Sequence, residues 1–123
     1  MSDTRLFPRV GLHRATRLVG ARVENARGET LGRIEDLILD PADGRVAAAI
    51  VSMGGFLGIG ERLTAVPLPV FIYDETAGRF VLDVDRDTLR RAPAFDPGDW
   101  PELMDRVWAA DVQAHFGFPP SGP

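Results

Sequence analysis

Few residues in this chain are of types that do chemistry, and the spacing of each can be tested against a known requirement. Gly54-Gly55-Phe56-Leu57-Gly58-Ile59-Gly60 has the glycine density of a phosphate-binding loop. It lacks the Gly-Lys-Ser/Thr of a nucleotide P-loop and misses the G-x-G-x-x-G register. No helix start follows to offer N–H groups to an anion. The segment reads as a connection between strands. Asp83-Val84-Asp85-Arg86-Asp87 matches the first half of a calcium loop. Thr88 stands where that loop needs glycine, and Ala94 where it needs a bidentate glutamate, so a solvated strand end is the better reading.

His13 and His115 are isolated, with no companion at H-x-x-x-H spacing, whereas a zinc site needs three or four ligands. Ser52 has no G-x-S-x-G elbow around it. Glu35 and Asp36 are adjacent, which on a strand sends them to opposite faces. The chain has no cysteine, which removes disulfides, thiol nucleophiles and zinc–thiolate sites. The sequence therefore offers no catalytic residue, no cofactor and no metal ligand set. The chain is expected not to be an enzyme.

What is left over is apolar. Phe56, Leu57 and Ile59 sit in the glycine-rich loop, where they must be tucked under their own fold or set against a second chain. Asp99-Trp100-Pro101-Glu102 has the form of a capping box, predicting a helix from Trp100 to about His115 with Gly117 as its C-cap. Its apolar stripe is Trp100, Leu103, Met104, Val107, Trp108 and Ala114. Asp111 falls inside that stripe, so it needs a partner, expected to be an N-terminal arginine, or it must stay wet. Phe116 and Phe118 follow as exposed tail aromatics. Phe56, Leu57, Ile59, Trp100, Met104, Trp108, Asp111, Phe116 and Phe118 are thus the candidate interaction residues.

The elements that carry these residues are short strands. Asn25-Ala26-Arg27-Gly28, Asp40-Pro41-Ala42-Asp43-Gly44 and Asp74-Glu75-Thr76-Ala77-Gly78 each open on Asn or Asp and end on Gly, the chemistry of a tight turn. Strands are predicted over Val19–Glu24, Thr30–Leu39, Val46–Ser52, Arg62–Val66, Val70–Tyr73 and Phe80–Val84. Gly32 suggests a bulge, and the continuously apolar Val46–Ser52 suggests a strand covered on both faces. Pro67 and Pro69 mark an edge or corner, and Asp87–Arg91 a single helical turn. The expected division is an arm over 1–15, a β domain over 16–91, and a linker, amphipathic helix and proline-rich tail over 92–123.

At 123 residues and 45% apolar content, one domain with its own core is expected. No run approaches the ~18 apolar residues of a membrane span, and the N-terminus has no signal-peptide h-region. A cytoplasmic location without membrane insertion is the expectation. All fourteen basic residues are arginine; residues 1–33 carry a net charge of +4 and the rest −8. The arginines are scattered singly and the whole chain carries −4, so a nucleic-acid footprint, which is a clustered basic patch, is not expected. Complementary faces meeting between subunits fit the asymmetry equally well.

The stretch Ser52-Met53-Gly54-Gly55-Phe56-Leu57-Gly58-Ile59-Gly60-Glu61-Arg62-Leu63-Thr64-Ala65-Val66-Pro67 resembles the signature of the PRC-barrel family. Gly20 to Val23, Gly28 to Leu37, Asp40-Pro41, Gly44 to Val46, the third turn and Ala92-Pro93-Ala94-Phe95 match in order and spacing, covering about 16–95. The resemblance implies a mostly β fold, a small, highly bent antiparallel β-barrel of about six strands, here with a C-terminal α-helix. It implies no catalytic residues. Family members include the cytoplasmic barrel of the photosynthetic reaction-centre H subunit and the C-terminal domain of a ribosome-maturation factor. This chain lacks the membrane helix of the first, and its fifteen residues before the barrel are too few for the second barrel of the other. The functional expectation is a non-enzymatic interaction or assembly module, a homodimer or larger, with a further protein partner unidentified. An RNA- or ribosome-associated factor and a regulator docked on a membrane electron-transfer complex are the alternatives.

Overall fold

The computed structural model describes residues 11–54, 60–102 and 106–117. Its strand pairing starts from three side-chain-stabilised turns. Asn25 accepts hydrogen bonds on Oδ1 from the N–H groups of Arg27 and Glu29, both at 3.0 Å, and Gly28 takes a φ of +83°. Strands β1 (Arg22–Glu24) and β2 (Thr30–Asp40) therefore run antiparallel. The other two turns share one design. Asp40 Oδ1 accepts from the Asp43 N–H at 3.2 Å, and Asp74 Oδ1 from the Ala77 N–H at 3.1 Å. Each turn closes on a glycine with φ +66°, Gly44 or Gly78, where a Cβ would clash with its own backbone.

The second turn joins β2 to β3 (Arg45–Met53). After the glycine-rich segment, β4 (Arg62–Pro67) pairs antiparallel with β3. A 3-10 turn over Leu68–Val70 then makes the expected proline corner. The third turn joins β5 (Phe71–Asp74) to β6 (Arg79–Leu82). A seventh strand, β7 (Ala94–Phe95), pairs with β4 inside the segment read from sequence as a linker. Two residues are too few to show periodicity. The strand is held because β4 needs an outer partner at Leu63 and Thr64, and the buried Thr64 hydroxyl donates to the Pro93 carbonyl at 2.7 Å.

The strand order is β5-β6-β1-β2-β3-β4-β7. Two parts of the expected barrel change. The sheet is mixed, because β1 pairs parallel to β6 through Val23↔Phe80 and Glu24↔Val81. It is also open: β5 and β7 are its ends, and no ladder joins them among the described residues.

Gly32 confirms the expected irregularity. Val23 pairs with Gly32 but Glu24 with Thr30, so Leu31 is the extra residue of a bulge. A Cβ on Gly32 would lie 2.2 Å from the Ser52 carbonyl oxygen, closer than any tolerated contact, so glycine is required for β2 and β3 to cross here. A second irregularity between Ile34 and Asp36 leaves Glu35 without a partner in the ladder. The bulge interrupts the two-residue alternation here, and Glu35 and Asp36 are both exposed.

The core is double. Val23, Leu31, Ile34, Ala49, Val51 and Val66 join Phe80, Leu82 and Leu89 on the concave side. Ile50, Leu63 and Ala65 face the other way and are covered by Val112. Three helices complete the fold: α1 (Ala15–Leu18), α2 (Arg86–Arg90) and α3 (Arg106–His115). In α2, Asp85 is the N-cap and accepts from the Thr88 N–H at 2.7 Å. This corrects the reading of 83–87 as a strand end. Thr88, the residue that spoils a calcium loop, supplies the capping N–H.

Helix α3 also departs from expectation. Trp100, Pro101 and Glu102 are not helical, so the capping-box pattern does not open it. The Trp100 ring instead packs on Phe95, with centroids 4.9 Å apart. The buried residue is Val112, while Ala114 and Asp111 are exposed. Of the expected stripe, Trp100 lies outside the helix and Ala114 is exposed; the side chains of Leu103, Met104, Val107 and Trp108 lie outside the described residues. The expected C-cap holds: Gly117 has φ +75° and donates to the Ala114 carbonyl at 3.1 Å.

Gly32→Ala is expected to cost about 3 kcal/mol, at the upper end for overpacking, because backbone and not a flexible side chain blocks the new methyl. Urea unfolding with an unchanged slope and a lowered midpoint would show it; a loss below ~0.5 kcal/mol would mean that the strands separate freely.

Candidate functional site

The side chains able to react are each committed to the fold. The Ser52 hydroxyl donates to Glu61 Oε1 at 2.7 Å, tying it to a carboxylate across the β3–β4 hairpin. His115 Nε2 lies 2.8 Å from the Thr88 carbonyl, where its N–H donates and links α3 to α2. Glu24, only 5% exposed, pairs with Arg79 on one oxygen and with Arg22 at 3.5 Å on the other. Arg79 reaches on to Asp74 at 3.3 Å. Among the described residues no three His, Asp or Glu side chains are placed to hold a metal ion.

The electrostatics follow from these bonds. The Glu24 carboxylate raises the Arg79 guanidinium above its usual range by hydrogen bond and charge. The N–H groups of Ala77 and Thr88 hold Asp74 and Asp85 below the ordinary 3.8, and the Asn25 side chain holds Glu29 below 4.5. Each of these carboxyls binds its proton more weakly folded than unfolded. Its stabilising effect is therefore complete above the unfolded value and lost as pH falls through the folded one. Stability read from urea titrations is expected to fall chiefly below about pH 4.5. The double variant Asp74→Asn/Asp85→Asn should fall less steeply; an equal acid slope would show that other groups carry the loss.

One concavity among the described residues is of a different character. A groove of about 360 Å³ lies between the two twin hairpins. Leu37 and Val46 come from β2 and β3; Phe71, Tyr73 and Phe80 come from β5 and β6. The rings stack edge to face, Phe71 on Phe80 at 5.4 Å, with Tyr73 tilted on Phe80 at 4.8 Å. Leu18 of α1 and a strap formed by Gly11, Leu12 and His13 supply the remaining wall with Leu68. One carboxylate pins the strap: Glu75 Oε1 accepts from the Gly11 N–H and contacts His13 Nε2, both at 3.1 Å. The His13 ring stands edge-on to Tyr73 at 5.1 Å.

Of the residues singled out from sequence, the described ones, Trp100, Asp111 and Phe116, are not among those that line this groove. Trp100 is on the opposite flank, half-exposed against Phe95. Asp111 is exposed on α3 and makes no ion pair among the described residues. Phe116 is half-buried against both cores and not an exposed tail aromatic, because its N–H still bonds to Val112 and the ring turns back under the helix end. Trp108 lies in α3. Its side chain, together with Phe56, Leu57, Ile59, Met104 and Phe118, falls outside the described residues. The groove was missed because it assembles segments some sixty residues apart. The available signal was the repeated Asp-to-Gly hairpin, which places apolar pairs on two facing arms.

Glu75→Ala removes both strap bonds. Amide exchange at Gly11 to His13 is expected to rise several-fold, while global stability changes by under about 1 kcal/mol, as for exposed ion pairs. Unchanged exchange would show that the strap is held by packing alone.

No helix among the described residues is long and apolar enough to cross a membrane. Comparison with curated proteins finds no match. Among solved structures, one described as a 16S ribosomal RNA processing protein, RimM, from Pseudomonas aeruginosa is 24% identical with a TM-score of 0.40. The match covers 61% of this chain and 45% of that one, so this chain spans less than half of that neighbour's length. A family model for the PRC-barrel domain matches residues 11–89, more than half of the sequence and close to the 16–95 span on which the resemblance was recognised. This chain belongs to the PRC-barrel domain family.

Proposed function

We propose that the chain is a non-enzymatic protein-interaction module that self-associates. Its working body is the bent sheet over 16–91, read as an incompletely closed barrel. Gly11 and His13 of the arm over 1–15, and Val112 in the helix-bearing segment over 92–123, lie against it. One observation carries the reading: polar groups are consumed internally while apolar surface is left unsatisfied. Every buried side-chain nitrogen or oxygen among the described residues has a hydrogen-bond partner. Meanwhile Leu12, in the wall of an apolar groove, is 104% exposed, and Leu39 and Ile72 are exposed by 65% and 68%. Apolar surface gathered in this way marks contact with another macromolecule.

The distribution of arginines argues against an RNA role. Arg22 and Arg79 are taken by Glu24, Arg27 by Glu29, Arg45 by Asp43 and Arg90 by Asp87. Arg33 and Arg86 are bonded to the carbonyls of Gly20 and Thr30. A phosphate-binding face would need such cations free and contiguous.

Sedimentation equilibrium of the full chain at about 50 μM, where micromolar dimers are populated, is expected to give a mass above the monomer. Anisotropy of a labelled single-stranded RNA is expected to stay flat as protein is added at low salt. A monomer, or RNA binding that collapses steeply with salt, would overturn the proposal.

A further inference from the structure

The groove and its rim carry two halves of one contact. In the β2–β3 ladder Leu39 pairs directly with Val46, so the two side chains share a face. Val46 lines the groove and Leu39 stands beyond it, 65% exposed. The apolar wall therefore continues out of the groove along the hairpin as a projecting knob. Beside this knob the hairpin tip bears Asp40 and Asp43. Arg45 pairs with Asp43 at 3.3 Å, which leaves the tip with one net negative charge.

The strap side has the opposite sign. Arg14 is the N-cap of α1 and Arg17 lies in its last turn, beside His13 and Leu18, which line the groove. Both arginine side chains are exposed and make no hydrogen bond or ion pair with any described residue. A knob with an acidic tip thus belongs to the same surface as a hollow with a basic rim.

We infer, building on the interaction reading above, that the occupant of this groove is a second copy of this chain, arranged about a twofold axis. Leu39 of each copy seats over the groove of the other, and the tip carrying Asp40 and Asp43 meets the partner's strap side, where Arg14 and Arg17 stand. A twofold contact requires a surface complementary to itself, and this surface supplies both shape and charge. The two arginines, which have no partner among the described residues, acquire partners twice in the dimer. This also accounts for the net positive charge of residues 1–33 against the acidic remainder.

Native mass spectrometry and sedimentation of full-length variants test the arrangement. Leu39→Glu is expected to weaken the dimer at least tenfold while leaving circular dichroism unchanged, because the side chain is exposed. Asp43→Arg and the double variant Arg14→Glu/Arg17→Glu each create like-charge contacts in their own homodimers and should be monomeric. Mixed together, they place Glu opposite Arg at one end and Asp opposite Arg at the other, and a heterodimer should form. A wild-type dimer indifferent to all three variants would overturn this inference and leave the self-associating module standing. A wild-type monomer would overturn both, and one that carries a co-purified small molecule would assign the groove to a ligand instead.

Discussion

The middle of β3 has no solvent face. Ala49, Ile50 and Val51 are all fully buried, and because alternate side chains leave a strand in opposite directions, the strand must be covered twice. The concave sheet provides one cover through Val23, Ile34, Val66 and Phe80. The other is built from Leu63, Ala65, Phe95, Phe116 and Val112 of α3. Burying a side chain such as Ile50 contributes about 2 kcal/mol. The outer layer exists to secure that contribution at Ile50, Leu63 and Ala65. It accounts for the placement of both β7, read from sequence as part of a linker, and α3, read as an amphipathic helix.

Covering β3 on both sides is possible only because its neighbours come very close. Ala47, Ala48 and Ala49 keep the strand thin, and Gly32 lets β2 pass over the Ser52 carbonyl without a side chain between them. The bulge at Leu31 turns the strand at this crossing, since an extra residue adds local twist. The bend sends the far parts of β2 and β3 away from the core as an arm. The β5–β6 hairpin, built with the same Asp-to-Gly turn, forms the facing arm. The groove is the space between these arms, so its presence follows from the bend that closes the main core.

What could be read from the residues, and what could not, divides along the same line. The six longer strands, all three turns, the α2 turn and the proline corner are local, and their signals lie within a few residues of where they act. Gly32 was also readable as an irregularity, since glycine in a strand weakens it unless something demands close approach. Strand β7 and the facing of α3 depend on partners thirty or more residues away. The Trp100 to Glu102 segment has good capping chemistry, yet packing of Trp100 on Phe95 outweighs a cap worth about 1 kcal/mol. Among the interaction residues, Phe116 was correctly recognised as apolar surface needing cover but assigned to the outside. The bulge at Glu35 is announced by no residue type.

The direction of the titration shifts shows what these charged groups do for the fold. Acid–base catalysis near neutrality needs a carboxyl raised toward 7 or a cation lowered toward it. The resolved shifts here run the other way: Asp74, Asp85 and Glu29 are lowered and Arg79 is raised. Hydrogen bonds from turn N–H groups, the Asn25 side chain and neighbouring guanidinium groups hold these residues in their charged forms. A group so held is a good structural anchor and a poor proton donor or acceptor, because releasing it would cost the turn or cap that it secures. These charges thus secure the turn that joins β5 to β6 and the cap of α2.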